Sequence, residues 1–211
     1  MARCDTGAVT YDARMARWAP DARQRLVVAA VDLFGEQGYD ATTVTQIAER
    51  AGVTKSTFFR HFGDKRELLT AGQAVLSALL SEGGAAAPAG ASPLAAVAAG
   101  LQRAATAMGP VNHDLGPRLE AVVATSVELQ ERSLLKEAGL AAATAAALME
   151  RGVEEAPARL AAEMGVLAFS RGFAAWSQGE RDGADDLARD VAAALHELRA
   201  AAATLDRDAG D

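Results

Sequence analysis

Alanine is the residue that most constrains how this chain can fold. It occupies 52 of the 211 positions, whereas Phe, Trp and Tyr together occupy ten. Alanine has the highest helix propensity, and β-sheets favour the aromatic and β-branched residues that are sparse here. The composition therefore predicts an all-α fold of closely packed helices. A chain of this length can bury a sizeable core without disulfides or metals.

The rest of the composition limits where the protein works and what it can bind. The single cysteine, Cys4, cannot form an internal disulfide or a multi-cysteine zinc site, so we expect no metal and no cofactor. The N-terminus lacks the apolar segment of a secretory signal. The longest uncharged stretch, residues 83–102, contains four Gly and two Pro and is too weakly apolar to span a bilayer. We expect a cytoplasmic protein without a membrane partner.

Charge is distributed unevenly along the chain, although the net charge is -7. Residues 1–80 carry ten basic and nine acidic side chains, and residues 81–211 carry eleven and nineteen. Residues 54–66 contain four basic side chains and one acidic side chain. Because binding of a polyanion depends on local charge, the overall acidity does not argue against a nucleic-acid site in this segment.

Helix-capping and helix-ending signals divide the chain into two helical domains. Residues 1–20 lack sustained periodicity and are expected to form a flexible arm. Residues 21–66 contain three short predicted helices, residues 67–205 form a second helical domain, and residues 206–211 are expected to be a disordered tail.

The predicted helices follow from the same signals. A helix that opens at Asp64 is expected to continue until the Gly/Ala/Pro-rich segment 83–93 breaks it, and that segment has no large apolar residue to anchor a core. The helices expected after it lie near 93–108, 113–125, 127–151, 156–178 and 184–205.

The segment from Val44 to Phe62 has the layout of a helix-turn-helix. Thr43 and Gln46 predict a capping box at its first helix, and Gly52 permits the left-handed backbone of the turn. The second helix begins with short polar residues, Lys55, Ser56 and Thr57. A recognition helix reaches the base edges of the DNA major groove with its N-terminal residues.

A longer pattern around this segment identifies a family. Its positions are Ala30, Leu33, Phe34, Gly38, Tyr39, Thr42, Thr43, Val44, Ile47, Ala48, Ala51, Gly52, Val53, Thr57, Phe59, His61, Phe62, Lys65 and Leu68. With this spacing the segment resembles the N-terminal domain of TetR-family transcriptional regulators. The resemblance covers the first domain only.

The resemblance implies an all-helical homodimeric repressor that binds an inverted-repeat operator in double-stranded DNA. Its fourth helix would join the DNA-binding domain to a divergent domain for dimerisation and for binding an unknown small-molecule effector. The residues expected at the DNA interface are Thr42, Thr43, Thr54, Lys55, Ser56, Thr57, Phe59, His61 and Lys65. Position 59 departs from the family, which usually has Tyr there. Without the hydroxyl, a phosphate hydrogen bond worth ~1 kcal/mol cannot form.

The second domain offers weaker candidates. Those for a ligand pocket combine apolar side chains with a few polar groups, as pockets do, and each also suits a core or an interface. They are Met108, His113, Arg118, Val122, Phe169, Phe173 and Trp176.

Helix 156–178 is apolar on two sides and therefore needs two partners, which suggests a dimer interface shared with the last helix. A central helix in a monomer is the alternative. The interface candidates are Leu160, Met164, Leu167, Leu187, Val191, Leu195 and Leu198.

Catalysis is not expected. The sequence has no Gly-rich phosphate loop, nucleophile elbow or zinc-binding His pair, and its three histidines lie far apart along the chain. The alternative to a ligand-controlled repressor is a DNA-binding regulator without a small-molecule ligand, controlled by its abundance or by a protein partner.

Overall fold

The computed structural model describes residues 21–205, and over that range the chain is all-helical. The predicted arm and tail lie outside the described residues. None of the described helices is both long and apolar enough to cross a membrane. The α-helices are α1 (Ala22–Gln37), α2 (Val44–Arg50), α3 (Lys55–His61), α4 (Gln73–Ala85), α5 (Pro93–Thr106), α6 (Pro110–Ala124), α7 (Val127–Glu150), α8 (Glu155–Ser177) and α9 (Ala184–Leu205), and a 3-10 helix spans Lys65–Thr70.

The expected helix from Asp64 onward is two separate elements. The Asp64 carboxylate accepts hydrogen bonds from the backbone N–H groups of Arg66 at 2.8 Å and Glu67 at 3.1 Å, and it caps the 3-10 helix. Gly72 then adopts a positive φ of 88°, so α4 starts only after it. The prediction of one helix was wrong because the left-handed turn interrupts a sequence with continuous apolar spacing.

The segment that was expected to stay out of the core contributes to it. Helix α4 runs on through Gly83 to Ala85, and a Cβ built on Gly83 would lie 2.6 Å from the Cα of Gly100 in α5. The missing side chains let the two helix backbones pack directly together. Helix α6 also begins three residues earlier than expected, at Pro110, and contains Pro117 in its interior.

Two buried clusters divide the molecule, and their boundary differs from the predicted one. The N-terminal core joins α1, α2, α3 and the 3-10 helix, and it includes Leu68 and Leu69, beyond the predicted boundary at residue 66. Val122 of α6 and Leu129 of α7 complete it. The C-terminal core joins α4, α5, α7, α8 and α9. Two helices of the second domain therefore supply part of the core of the first.

The apolar stripe of α9 faces the interior of the chain. Leu187, Val191 and Leu195 are buried in the C-terminal core. Their assignment to a dimer interface was wrong, because α8 and α5 of the same chain already cover them. Leu198 is partly buried against the same core.

Helix α8 has the two apolar sides that the sequence predicts. Val166 and Trp176 are buried in the C-terminal core, whereas Leu160 is 61% exposed and Leu167 is 43% exposed on the other side. Met164, on the same side, is half-buried. This side of α8 remains a candidate interface.

We predict that Gly172→Ala destabilises the protein and that Gly35→Ala does not. A Cβ on Gly172 would lie 2.5 Å from the Cα of Val191, so α8 and α9 must move apart, at a cost of about 1–3 kcal/mol. Gly35 has no neighbour within 4 Å of a built Cβ, and alanine there should stabilise α1 by up to about 1 kcal/mol. Urea unfolding of both variants measures the difference, and equal effects would contradict the close contact.

Candidate nucleic-acid interface

The local sequence determines how α2 and α3 are held. Thr43 and Gln46 form the expected capping box at the start of α2. Gly52 has a φ of +66°, and the N–H of Val53 donates to the carbonyl oxygen of Ala48 at 2.9 Å to close the turn. The fully buried side chains of Ile47 and Phe58 set the angle between the helices. The helix-turn-helix layout is confirmed.

The first turn of α3 presents two exposed polar side chains. Lys55 and Ser56 are exposed. Thr54 uses its hydroxyl oxygen to cap the helix, accepting from the N–H of Thr57 at 3.1 Å, and the two threonine hydroxyls lie 3.0 Å apart. The two threonines therefore shape the start of the helix, and Lys55 and Ser56 are the side chains best placed to reach a ligand.

Phe59 is an exposed aromatic ring on the same short helix. It is 50% exposed and packs edge-on against Phe58, with ring centroids 5.4 Å apart. The Lys55 Nζ atom lies 6.0 Å from its centroid. Its neighbour Arg60, which the sequence motifs do not single out, is also exposed. The available signal was helical spacing, because Arg60 follows Ser56 by four residues and so shares its side of the helix.

Thr42 cannot present its side chain to DNA, and that prediction was wrong. The residue is only 1% exposed. Its hydroxyl donates to the carbonyl oxygen of Gly38 at 2.7 Å and accepts from the Nε2 atom of Gln37 at 3.1 Å. Thr42 thus stabilises the connection between α1 and α2. Thr43, next to it, is exposed at the N-cap of α2.

Lys65 also holds the connection between α1 and α2 in place. Its Nζ atom donates to the carbonyl oxygens of Tyr39 at 2.7 Å and Thr42 at 3.1 Å, and it lies 4.1 Å from the centroid of the Tyr39 ring. Burial, followed by the nearby Glu128 carboxylate, raises the pKa of Tyr39 to about 12. The partners of Lys65 are therefore carbonyl oxygens and an aromatic ring, and its place at the DNA interface stays a prediction.

The local excess of positive charge resides mainly on α3. Arg66 is paired with Asp64 at 2.7 Å and lies 3.9 Å from Glu128. Burial raises the pKa of Asp64, but hydrogen bonds from the Arg66 side chain and from backbone N–H groups outweigh burial and hold it below its usual value. Within residues 21–205, Lys55 and Arg60 form no ion pair. His61 is exposed at the end of α3.

Four of the seven ligand-pocket candidates form one aromatic cluster in the second domain. The ring centroids of His113 and Trp176 are 4.9 Å apart, those of Phe173 and Trp176 are 5.6 Å apart, and those of Phe169 and Phe173 are 6.1 Å apart. The Nε2 atom of His113 lies 3.1 Å from the carbonyl oxygen of Gly179. The cluster joins the N-terminal part of α6 to α8.

The other three candidates lie apart from this cluster. Arg118 forms an ion pair with Asp32 of α1, and Val122 is buried in the N-terminal core. Met108 is half-buried against the C-terminal core. Helix α6 therefore places His113 in the second domain and Arg118 and Val122 against the first.

The N-terminal domain is similar in sequence to known regulatory proteins. Residues 26–71 match the sequence model described as bacterial regulatory proteins, tetR family. Over 46 residues the chain is 52% identical to the HTH-type transcriptional regulator TcmR of Streptomyces glaucescens. That match covers 22% of this chain and 20% of TcmR, so the sequence likeness is confined to about a fifth of either protein.

Solved structures share the fold over most of this chain. One is described as a TetR-family transcriptional regulator from Mesorhizobium loti; it has a TM-score of 0.51 and 22% identity, over 89% of this chain and 98% of that one. Another is SmeT in complex with triclosan, with a TM-score of 0.52 and 22% identity, over 86% of this chain and 91% of SmeT. At these identities the likeness shows a common fold.

We predict that Phe59→Tyr tightens binding to all DNA duplexes about equally. The added hydroxyl can donate a hydrogen bond to a phosphate, which is worth ~1 kcal/mol and is independent of base sequence. Fluorescence anisotropy measures both affinities, with one duplex selected from random DNA for tight binding (the selected duplex) and one of scrambled sequence. A gain confined to the selected duplex would contradict a phosphate contact.

Proposed function

We propose, from the match of residues 26–71 to the sequence model of tetR-family bacterial regulatory proteins, that this protein is a homodimeric, sequence-specific DNA-binding regulator. In this proposal it represses transcription until a small molecule binds its second domain. The observation that carries the proposal is that buried and exposed residues of the helix-turn-helix have different roles. Its apolar residues are buried to set the angle between α2 and α3, whereas Lys55, Ser56 and Arg60 stay exposed on α3.

The exposed residues suit two kinds of contact. Lys55 and Ser56, in the first turn of α3, would reach base edges in the major groove, as the N-terminal residues of recognition helices do. Arg60, His61 and Thr43 would lie near phosphates, which position the protein without reading sequence. Specificity and non-specific affinity would then depend on different side chains.

Helix α6 offers a route from the second domain to the first. The ion pair between Arg118 and Asp32 ties α6 to α1, and the buried Val122 packs into the N-terminal core. Its other end carries His113 against Trp176. A ligand that binds one arrangement of α6 better than another would shift the equilibrium between the two arrangements by its difference in binding free energy. The recognition helix would move with α6. SmeT, which shares this fold, forms a complex with triclosan, and that complex supports a small-molecule ligand for this protein.

The test of the function is selection of the purified full-length protein on random duplex DNA at near-physiological salt, followed by sequencing of the bound fraction. We expect an inverted repeat, because two helix-turn-helix domains related by two-fold symmetry bind two half-sites. A folded protein that enriches no sequence would contradict the proposal.

We predict that Lys55→Met and Arg60→Met affect DNA binding differently. In the Lys55 variant, loss of a base contact should reduce the difference in binding free energy between the selected and the scrambled duplex by about 1–3 kcal/mol. The Arg60 variant should bind both duplexes more weakly, and to the same extent. The slope of the logarithm of its DNA-binding constant against the logarithm of the salt concentration should be smaller by about 0.9. Arg199→Met, which removes an exposed cation of α9, is the matched control and should change neither.

The exposed side of α8 would form the dimer interface. Leu160 and Leu167 lie there, next to a groove of about 510 Å³ between α7 and α8, and Leu134 of the groove is also exposed. Exposed apolar patches of this kind mark association sites. We infer that a second copy of the chain covers it, because an inverted-repeat operator needs a two-fold partner.

We predict that Leu167→Asp yields a folded monomer, because it places a carboxylate in the proposed interface. Leu195→Asp should instead unfold the second domain, since Leu195 is buried within the chain. Light scattering and circular dichroism separate the two outcomes. An unchanged dimer mass for Leu167→Asp would refute the assignment.

A further inference from the structure

A cavity of about 290 Å³ lies where α6, α7 and α8 meet the 3-10 helix. Its apolar wall includes Leu119 and Val123 of α6, Leu129 of α7 and Phe173 of α8. Ligand pockets in proteins typically measure about 300–1,000 Å³ and combine an apolar lining with a few polar groups. This cavity lies just below that range, so it suits a small molecule of one or two rings.

Lys136 is the one basic side chain among the residues that line the cavity. It lies on α7, half-buried, and within residues 21–205 its ammonium group makes no hydrogen bond or ion pair. Burial lowers the pKa of Lys136, and the negative charge of Glu137 opposes that shift only in part. A partly desolvated cation without a partner gains more from an oxyanion than an exposed lysine does.

The acidic residues that line the cavity do not pair with this lysine. Glu137 accepts a hydrogen bond from the Ser170 hydroxyl at 3.3 Å and also borders the groove between α7 and α8. Glu120 is exposed to solvent. Lys136 therefore remains available to a ligand.

We propose that this cavity binds a small amphipathic molecule whose oxyanion, a carboxylate or a phenolate, pairs with Lys136 while its apolar body packs on Leu119, Leu129 and Phe173. The inference rests on the proposed function, because the molecule would be the effector that controls DNA binding. The cavity is placed for that role, since Leu69 and Leu129 also belong to the N-terminal core. A bound molecule would touch both domains at once.

Calorimetry on the full chain without DNA tests the inference with three probes of similar shape: 2-naphthoate, neutral 2-naphthamide and cationic 2-naphthylmethylamine. We expect 2-naphthoate to bind roughly tenfold more tightly than 2-naphthamide, and the amine to bind most weakly. Lys136→Met should remove that tenfold advantage and leave the affinity for 2-naphthamide unchanged. Arg199→Met should behave like the parent protein.

Two further measurements keep the outcome unambiguous. Lys136→Arg should retain the preference for 2-naphthoate, and the thermal unfolding midpoint of Lys136→Met should not fall, because the substitution removes a poorly solvated charge. The inference is overturned if no probe binds, if the amine binds best, or if Lys136→Met keeps its preference for the carboxylate. Failure of the proposed function would appear separately, as a protein that binds 2-naphthoate yet enriches no DNA sequence.

Discussion

Direct contact between helix backbones is the constraint on which the C-terminal core depends. With few aromatic side chains available, the helices approach until glycine meets the main chain of the neighbouring helix, at Gly172 against Val191 and at Gly83 against Gly100. Buried alanines such as Ala104 and Ala158 fill the space between these contacts. Such a core gains dispersion energy from the close approach of the helices as well as from its large side chains, and an atom added at one of these contacts separates two helices.

Helix α6 joins the two cores because different parts of it pack against different domains. Gly116 fits against Ser177 and Phe173 of α8, where a Cβ would come within 2.7 Å of the Ser177 side chain. Two residues later Arg118 pairs with Asp32, and Val122 is buried among residues of the first domain. Residues of this one helix therefore pack in both domains.

The helix-turn-helix motif contains residues with two different tasks. Thr42 and Lys65 hydrogen-bond to carbonyl oxygens and hold the connection between α1 and α2 in place. Within residues 21–205, the side chains of Lys55 and Ser56 make no such bonds, and both are exposed on α3. A motif position therefore indicates that a residue matters, and only its surroundings show whether it supports the scaffold or faces a ligand.

The sequence by itself determined the all-α fold, the helix-turn-helix and its caps, since helix propensity, capping and the φ of Gly52 are properties of residues close together along the chain. It also identified the two apolar sides of α8. Only the tertiary structure decided that the stripe of Leu187, Val191 and Leu195 faces the chain's own core, that Thr42 is buried and that Lys136 lines a cavity. Periodicity shows that a helix has an apolar face, but which element covers that face depends on contacts between residues far apart in sequence.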